Sequence, residues 1–133
     1  LTDTSRHALT VAQENAKSLN ADVALQQSNL LEDVTGVFDI IVANLPYVSR
    51  AWERSPETGH EPALALFADD EGLALIMRLI DQTGSHLKNQ GLLILEADPA
   101  QHMAIGDYAK NRGLSQAAID GYCLVFSKTN QST

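Results

Sequence analysis

Four adjacent residues, Asn44-Leu45-Pro46-Tyr47, combine side-chain and main-chain acceptors with an aromatic ring. The amide oxygen of Asn44 and the carbonyl of Leu45 each accept hydrogen bonds. Pro46, which lacks an N–H, fixes the local backbone and cannot compete for either acceptor. Together they suit a planar NH2 group, with one N–H going to each acceptor and Tyr47 lying against the conjugated face. The lone pair of such a nitrogen is delocalised into a carbonyl or ring, so it reacts poorly until it is held in line. Positioning of this kind is worth on the order of 7 to 11 kcal/mol, and no strong general base is then required. The same string also reads as an ordinary turn, because Asn and Pro are common turn residues.

The elements around these residues decide where they stand. Phe38-Asp39-Ile40-Ile41-Val42-Ala43 is an apolar, β-branched run that reads as a buried parallel strand. Pro46 stops it, which puts Asn44 and Tyr47 just past the carboxyl end, where open α/β sheets bind ligands. Upstream, Leu1-Thr2-Asp3 reads as the tail of a strand. Thr4 or Ser5 then caps a helix with Ala8, Leu9, Ala12, Ala16 and Leu19 at core-facing spacing. Val23 to Gln27 reads as the next strand, giving a β-α-β start and a parallel sheet.

Downstream, a polar stretch from Ser49 to Asp70 is longer than a tight connection needs, and loops of that length are usually functional. Glu71 to His86 has helical spacing of Leu73, Leu75, Ile76, Leu79 and Ile80, and Asn89-Gln90-Gly91 turns the chain into the strand Leu92 to Glu96. A helix follows over Pro99 to Arg112, stopped by Gly113. Two β segments, 115 to 119 and 122 to 128, then meet around Asp120-Gly121. The tail 129–133 is polar and expected to be disordered.

The chain has 133 residues, 44% of them hydrophobic, enough for one globular domain with a core. A net charge of −8, with only Arg50 and Arg54 close behind the Asn-Leu-Pro-Tyr stretch, offers no basic groove for a phosphate backbone and argues against direct nucleic-acid binding. Cys123, the single cysteine, lies in an apolar run and reads as a buried thiol in a reducing cytoplasm. His7, His60, His86 and His102 lack metal-like spacing and read as surface residues, so no metal is expected. No apolar run approaches the roughly 20 residues that span a bilayer. A cytoplasmic protein without membrane contact is the expectation.

The eight glycines never stand two apart, so Gly-x-Gly is absent. In a mononucleotide-binding half-fold the first strand and glycine turn precede the acidic residue that ends the second strand. Asp3 holds that acidic position, which predicts that the first strand, glycine-rich loop and first helix would precede residue 1.

The order of features resembles the HemK/PrmC family, the class I methyltransferases that methylate the glutamine amide of the Gly-Gly-Gln motif in peptide-chain release factors. The resemblance is carried by Thr2-Asp3-Thr4-Ser5 with the following helix, by Ser28-Asn29-Leu30, by Phe38 to Tyr47, and by Glu61-Pro62-Ala63-Leu64-Ala65-Leu66 with Asp70-Glu71-Gly72-Leu73. Leu45 stands where the family has the first proline of Asn-Pro-Pro-Tyr, and Asn29 where an Asp is common.

This resemblance implies an α/β, Rossmann-like class I fold lacking its first strand, with residues 1–128 as the C-terminal part of the catalytic domain. It also implies S-adenosyl-L-methionine as cofactor and a release factor as protein substrate. Asp3 would take the ribose hydroxyls, Asn29 and Leu30 the adenine, and Asn44 would border the cofactor. Asn44, Pro46 and Tyr47 form the implied catalytic set, with Leu45 and Glu61 joining them around the substrate. Each has a plain structural alternative: Asp3 as a helix cap, Asn29 as a turn residue, Glu61 as a solvated carboxylate. A wall of the substrate pocket and simple packing are both open to Trp52.

Methylation of an exocyclic base amine, and a degenerate domain without catalysis, are the competing functional readings. A chain without the glycine loop is expected to be inactive by itself, to bind the cofactor weakly, and to self-associate through an exposed apolar edge beside Phe38 to Ala43.

Overall fold

The computed structural model describes residues 1–46 and 70–130. They form two compact units, Leu1–Gly36 and Val37–Thr133.

The first unit opens with β1 (Thr2–Asp3), followed by α1 (Arg6–Ser18) and β2 (Gln26–Gln27). β1 and β2 pair in parallel, Thr2 with Gln26 and Asp3 with Gln27. Ser5 is the N-cap of α1, its hydroxyl accepting the Ala8 N–H at 3.2 Å. Gln27 ties β2 to the helix start, since its side chain accepts from Arg6 and donates to the Thr4 carbonyl, each at 2.9 Å.

Two expectations are corrected in this unit. The second strand is confined to Gln26–Gln27 instead of Val23 to Gln27, because β1 presents only a two-residue ladder to pair with. Leu19 does not face a core: it is the C-cap, 77% exposed, lying past the last helical turn. The chain leaves the helix through Asn20 at φ 51°, a left-handed position that Asn tolerates better than most residues.

The second unit contains β3 (Phe38–Ala43), α2 (Asp70–His86), β4 (Leu87–Glu96), a 3₁₀ turn (Pro99–Gln101), α3 (His102–Lys110), β5 (Leu114–Asp120) and β6 (Cys123–Lys128). The strand order is β3-β4-β6-β5. β3 runs parallel to β4, while β6 inserts antiparallel between β4 and β5. Three strands therefore share one direction and the final strand opposes them.

One face of this sheet carries the core. Leu93 and Leu95 of β4, Leu124 and Phe126 of β6, and Ile41 of β3 alternate onto it, and Ile76, Leu79 and Ile80 of α2 with Ile105 and Ala109 of α3 are buried with them. Each fully buried aliphatic or aromatic side chain is worth about 1.5–3 kcal/mol. The buried Thr83 hydroxyl is satisfied by donating to the Leu79 carbonyl at 2.7 Å. On the opposite face Ile40 and Val42 are 54% and 73% exposed, and β3 has no partner on its outer edge among the described residues.

The expected turn at Asn89-Gln90-Gly91 is instead a bulge inside β4. Phe38 pairs with Leu87 but Ile40 with Leu92, and Gln90 takes φ 64° to absorb the extra residues. Gly91 is required there, because a Cβ would lie 2.8 Å from the Lys88 carbonyl oxygen and 3.1 Å from that of Asp39. Gly91→Ala is expected to cost about 1–3 kcal/mol, read as a lower urea midpoint at constant m-value.

The helix expected over Pro99 to Arg112 divides into the 3₁₀ turn and α3, with Asp98 capping the turn by accepting from Ala100 at 2.7 Å. α2 and α3 are clamped at the surface. Tyr108 donates its hydroxyl to the Asp81 carboxylate at 2.9 Å, Arg112 donates to it at 2.9 Å, and the guanidinium stacks 3.6 Å over the Tyr108 ring. The Arg112 hydrogen bond, followed by that of Tyr108, holds the Asp81 carboxyl below the usual carboxylate range. A carboxyl depressed on folding stabilises above its unfolded pKa, so the clamp's contribution is lost as pH falls through the lowered value.

Two further corrections concern side chains. His102 is buried, with Nε2 3.0 Å from the Ala97 carbonyl oxygen, because the first turn of α3 packs over the end of β4. Cys123 is only half-buried, since it opens β6 at the sheet's end. Among the described residues no helix is long and apolar enough to cross a membrane.

Candidate active site

In the first unit, the parallel pairing brings Asp3 and the segment Ser28-Asn29-Leu30 to the same carboxyl edge. The Ser28 N–H donates to the Asp3 carbonyl at 3.1 Å, continuing the ladder to the residue before Asn29. Asp3 is exposed, and Oδ1 accepts the Ser5 N–H at 2.7 Å. The carboxylate thus helps start α1, while Oδ2 has no partner among the described residues. Asn29 is half-buried, its main-chain carbonyl accepting from Glu32 at 3.2 Å and its side-chain amide unbonded among the described residues.

Ser28 is the anchor of this turn. It is buried, and its hydroxyl accepts the Asp33 N–H at 3.1 Å. Leu30 adopts φ 55°, a left-handed conformation that costs a branched residue of this kind about 1–2 kcal/mol. Strain held at a strand's carboxyl edge is a common property of ligand-clamping turns. The acceptors fit an adenosine moiety: a carboxylate oxygen for hydroxyl donors and an amide oxygen for an exocyclic amine.

In the second unit, Asn44, Leu45 and Pro46 follow β3 directly. Asn44 is exposed and its side chain has no hydrogen bond among the described residues; Leu45 and Pro46 are half-buried. Ala43, the last residue of β3, pairs with Leu95 of β4. The next residues on these neighbouring parallel strands are Asn44 and Glu96, and Glu96 pairs in turn with Cys123 of β6. Glu96 did not figure among the residues expected at the site. The available signal was an acidic residue closing the apolar run Leu92 to Leu95. Tyr47, Trp52 and Glu61, with Arg50 and Arg54, lie outside the described residues.

Comparison with known proteins adds lineage to this geometry. The family described as methyltransferase small domain matches residues 1–61. The release factor glutamine methyltransferase of Lactococcus lactis subsp. lactis is 40% identical over 108 residues, 77% of this chain and 39% of the relative. The chain belongs to the HemK/PrmC family. It spans about two fifths of the length of that relative. The ribosomal protein uL3 glutamine methyltransferase of Xanthomonas campestris pv. campestris is 40% identical over 106 residues, 76% of this chain and 34% of the relative. Among solved structures, the ribosomal protein L11 methylase of Lactobacillus delbrueckii subsp. bulgaricus superposes with a TM-score of 0.68 at 26% identity, covering 97% of this chain and 56% of that one. The HemK/PrmC chain therefore has the class I methyltransferase fold.

Proposed function

We propose that this HemK/PrmC chain is part of an enzyme that transfers a methyl group from S-adenosyl-L-methionine to the side-chain amide nitrogen of a glutamine in a peptide-chain release factor. The observation that carries the proposal is Asn44, exposed and unbonded among the described residues at the carboxyl end of β3. Residues 1–128 form the C-terminal part of the catalytic domain in this reading, with 129–133 as its tail.

The cofactor supplies a methyl group on a sulfonium. Asp3 Oδ2 accepts from the ribose hydroxyls, and the Asn29 side chain with the Leu30 N–H holds the adenine. Asn44 takes one N–H of the target amide, Leu45 offers its carbonyl to the other, and Pro46 keeps that backbone rigid. Tyr47 and Glu61 complete the substrate side, and Asn44 also borders the cofactor. With a cytoplasmic release factor as partner, the reaction belongs to translation termination. No nucleic-acid or membrane partner is assigned.

The experiment is methyl transfer from labelled cofactor, by the full-length protein, to a release factor, to ribosomal protein uL3 and to ribosomal RNA. Label on the release-factor glutamine is expected. Preferential label on uL3 would move the substrate assignment to that protein, a reading favoured by the equal 40% identity to a uL3 methyltransferase. Label on RNA alone would replace the amide with a base amine. Absence of transfer to all three, with no cofactor binding, would identify a degenerate domain.

The edge of β3, unpaired among the described residues, and the exposed Ile40 and Val42 also support self-association of the 133-residue chain. Solution scattering is expected to give a mass above one chain, whereas a monodisperse monomer would count against it.

A further inference from the structure

Methylation of a neutral amide releases a proton, and none of the described residues assigned to hold the amide can keep it. The Asn44 amide oxygen and the Leu45 carbonyl are neutral acceptors that stay unprotonated at ordinary pH, and Pro46 has neither proton nor acceptor side chain. A carboxylate can take it. The sheet register supplies one, because Asn44 and Glu96 each stand one residue beyond the paired positions Ala43 and Leu95. Neighbouring strands are about 4.8 Å apart.

Strand alternation places Glu96 on the same face as Ile94, and Asn44, continuing β3 by one residue, on that of its cross-strand neighbour Val42. Glu96 is also held from its other side, paired with Cys123 in the antiparallel ladder. Its carboxylate is therefore presented from a rigid strand end, not from a loop. Other titratable groups at this end of the sheet are less well placed. Cys123 and Asp120 lie one and two strands beyond Glu96, and Asp98 lies past the end of β4, at the start of the 3₁₀ turn.

We propose that Glu96 is a catalytic residue that shares with Asn44, in a bifurcated hydrogen bond, the N–H of the target amide that Asn44 accepts, and takes up that proton. As the nitrogen lone pair forms the N–C bond, the S–C bond of the methyl sulfonium breaks with its electrons remaining on sulfur. The displaced N–H proton passes to a Glu96 carboxylate oxygen. Charge balances, since a sulfonium and a carboxylate give a neutral thioether and a carboxylic acid. This rests on the glutamine-amide reading and adds to it the fate of the proton.

The test uses the full-length protein, labelled cofactor and whichever glutamine-bearing protein the wild type methylates. Glu96→Gln keeps the shape but cannot accept a proton. It is expected to lower kcat about 100-fold, with cofactor Kd, substrate KM and melting temperature unchanged. Glu96→Asp, which keeps a carboxylate one methylene further away, is expected to recover roughly tenfold of that loss. Wild-type kcat in Glu96→Gln, or equal losses in the Gln and Asp variants, would overturn the role of Glu96 while leaving the glutamine reading intact. A wild-type protein that methylates no glutamine overturns both. Should Glu96→Gln fail to fold, Glu96→Asp decides by itself: a wild-type kcat there overturns the proposal.

Discussion

Replacing Asn44 with alanine in the full-length protein is expected to lower the rate of glutamine methylation by about 2.7–4 kcal/mol in activation free energy, or 100- to 1,000-fold, with cofactor affinity nearly unchanged. The size follows from the loss of one preorganised hydrogen-bonding group at the reacting atom. Its selectivity follows from role, because in the proposed site Asn44 holds the target amide while the adenosine contacts fall to Asp3, Asn29 and Leu30. Asn44→Asp keeps an acceptor at nearly the same place and is expected to retain more activity than Asn44→Ala. Leu45→Pro, which changes only a side chain and an N–H, should be tolerated or mildly activating, since the carbonyl acceptor is preserved. Single-turnover methylation of a release factor measures all three. Unchanged methylation in Asn44→Ala would remove Asn-Leu-Pro-Tyr from the catalytic role.

The strands that position Asn44 were legible because their signals are local. The run Phe38 to Ala43 and its proline stop define both an element and its carboxyl end, and β3 occupies those residues. The paired segments around Asp120-Gly121 were equally readable, with Gly121 at φ 55° in the turn between β5 and β6. What escaped depends on contacts between residues distant in sequence. The bulge at Gln90-Gly91 exists because β4 must realign against β3 near Asp39, a partner about fifty positions away, and no local composition encodes that register. His102 looked like a surface histidine because its cover, the end of β4, is invisible in the periodicity of α3. The same limitation hid Glu96 from the candidate site. Its relation to Asn44 is a register, and register is a property of two strands together. Leu30 is a further case, because leucine carries no sequence signal for a left-handed backbone.

Asp3 carries the second large expectation. Its two geometric roles separate cleanly, because Oδ1 accepts the Ser5 N–H at the start of α1 and Oδ2 is open to a ligand among the described residues. If the carboxylate holds the ribose, Asp3→Ala in the full-length protein removes charge-assisted hydrogen bonding worth about 1.5–3 kcal/mol in total and raises the cofactor Kd about 10- to 150-fold. Alanine also removes the Ser5 acceptor, which costs about 1 kcal/mol of stability on its own. Asp3→Asn resolves the two effects. Its amide oxygen can still accept from Ser5, so the melting temperature should stay near wild type, but the negative charge and one acceptor facing the ribose are gone. Calorimetric titration with S-adenosyl-L-methionine is expected to show weakened binding in both variants, with thermal destabilisation confined to Asp3→Ala. Wild-type affinity in a stable Asp3→Asn protein would reduce Asp3 to a helix-starting residue and move the ribose contact elsewhere.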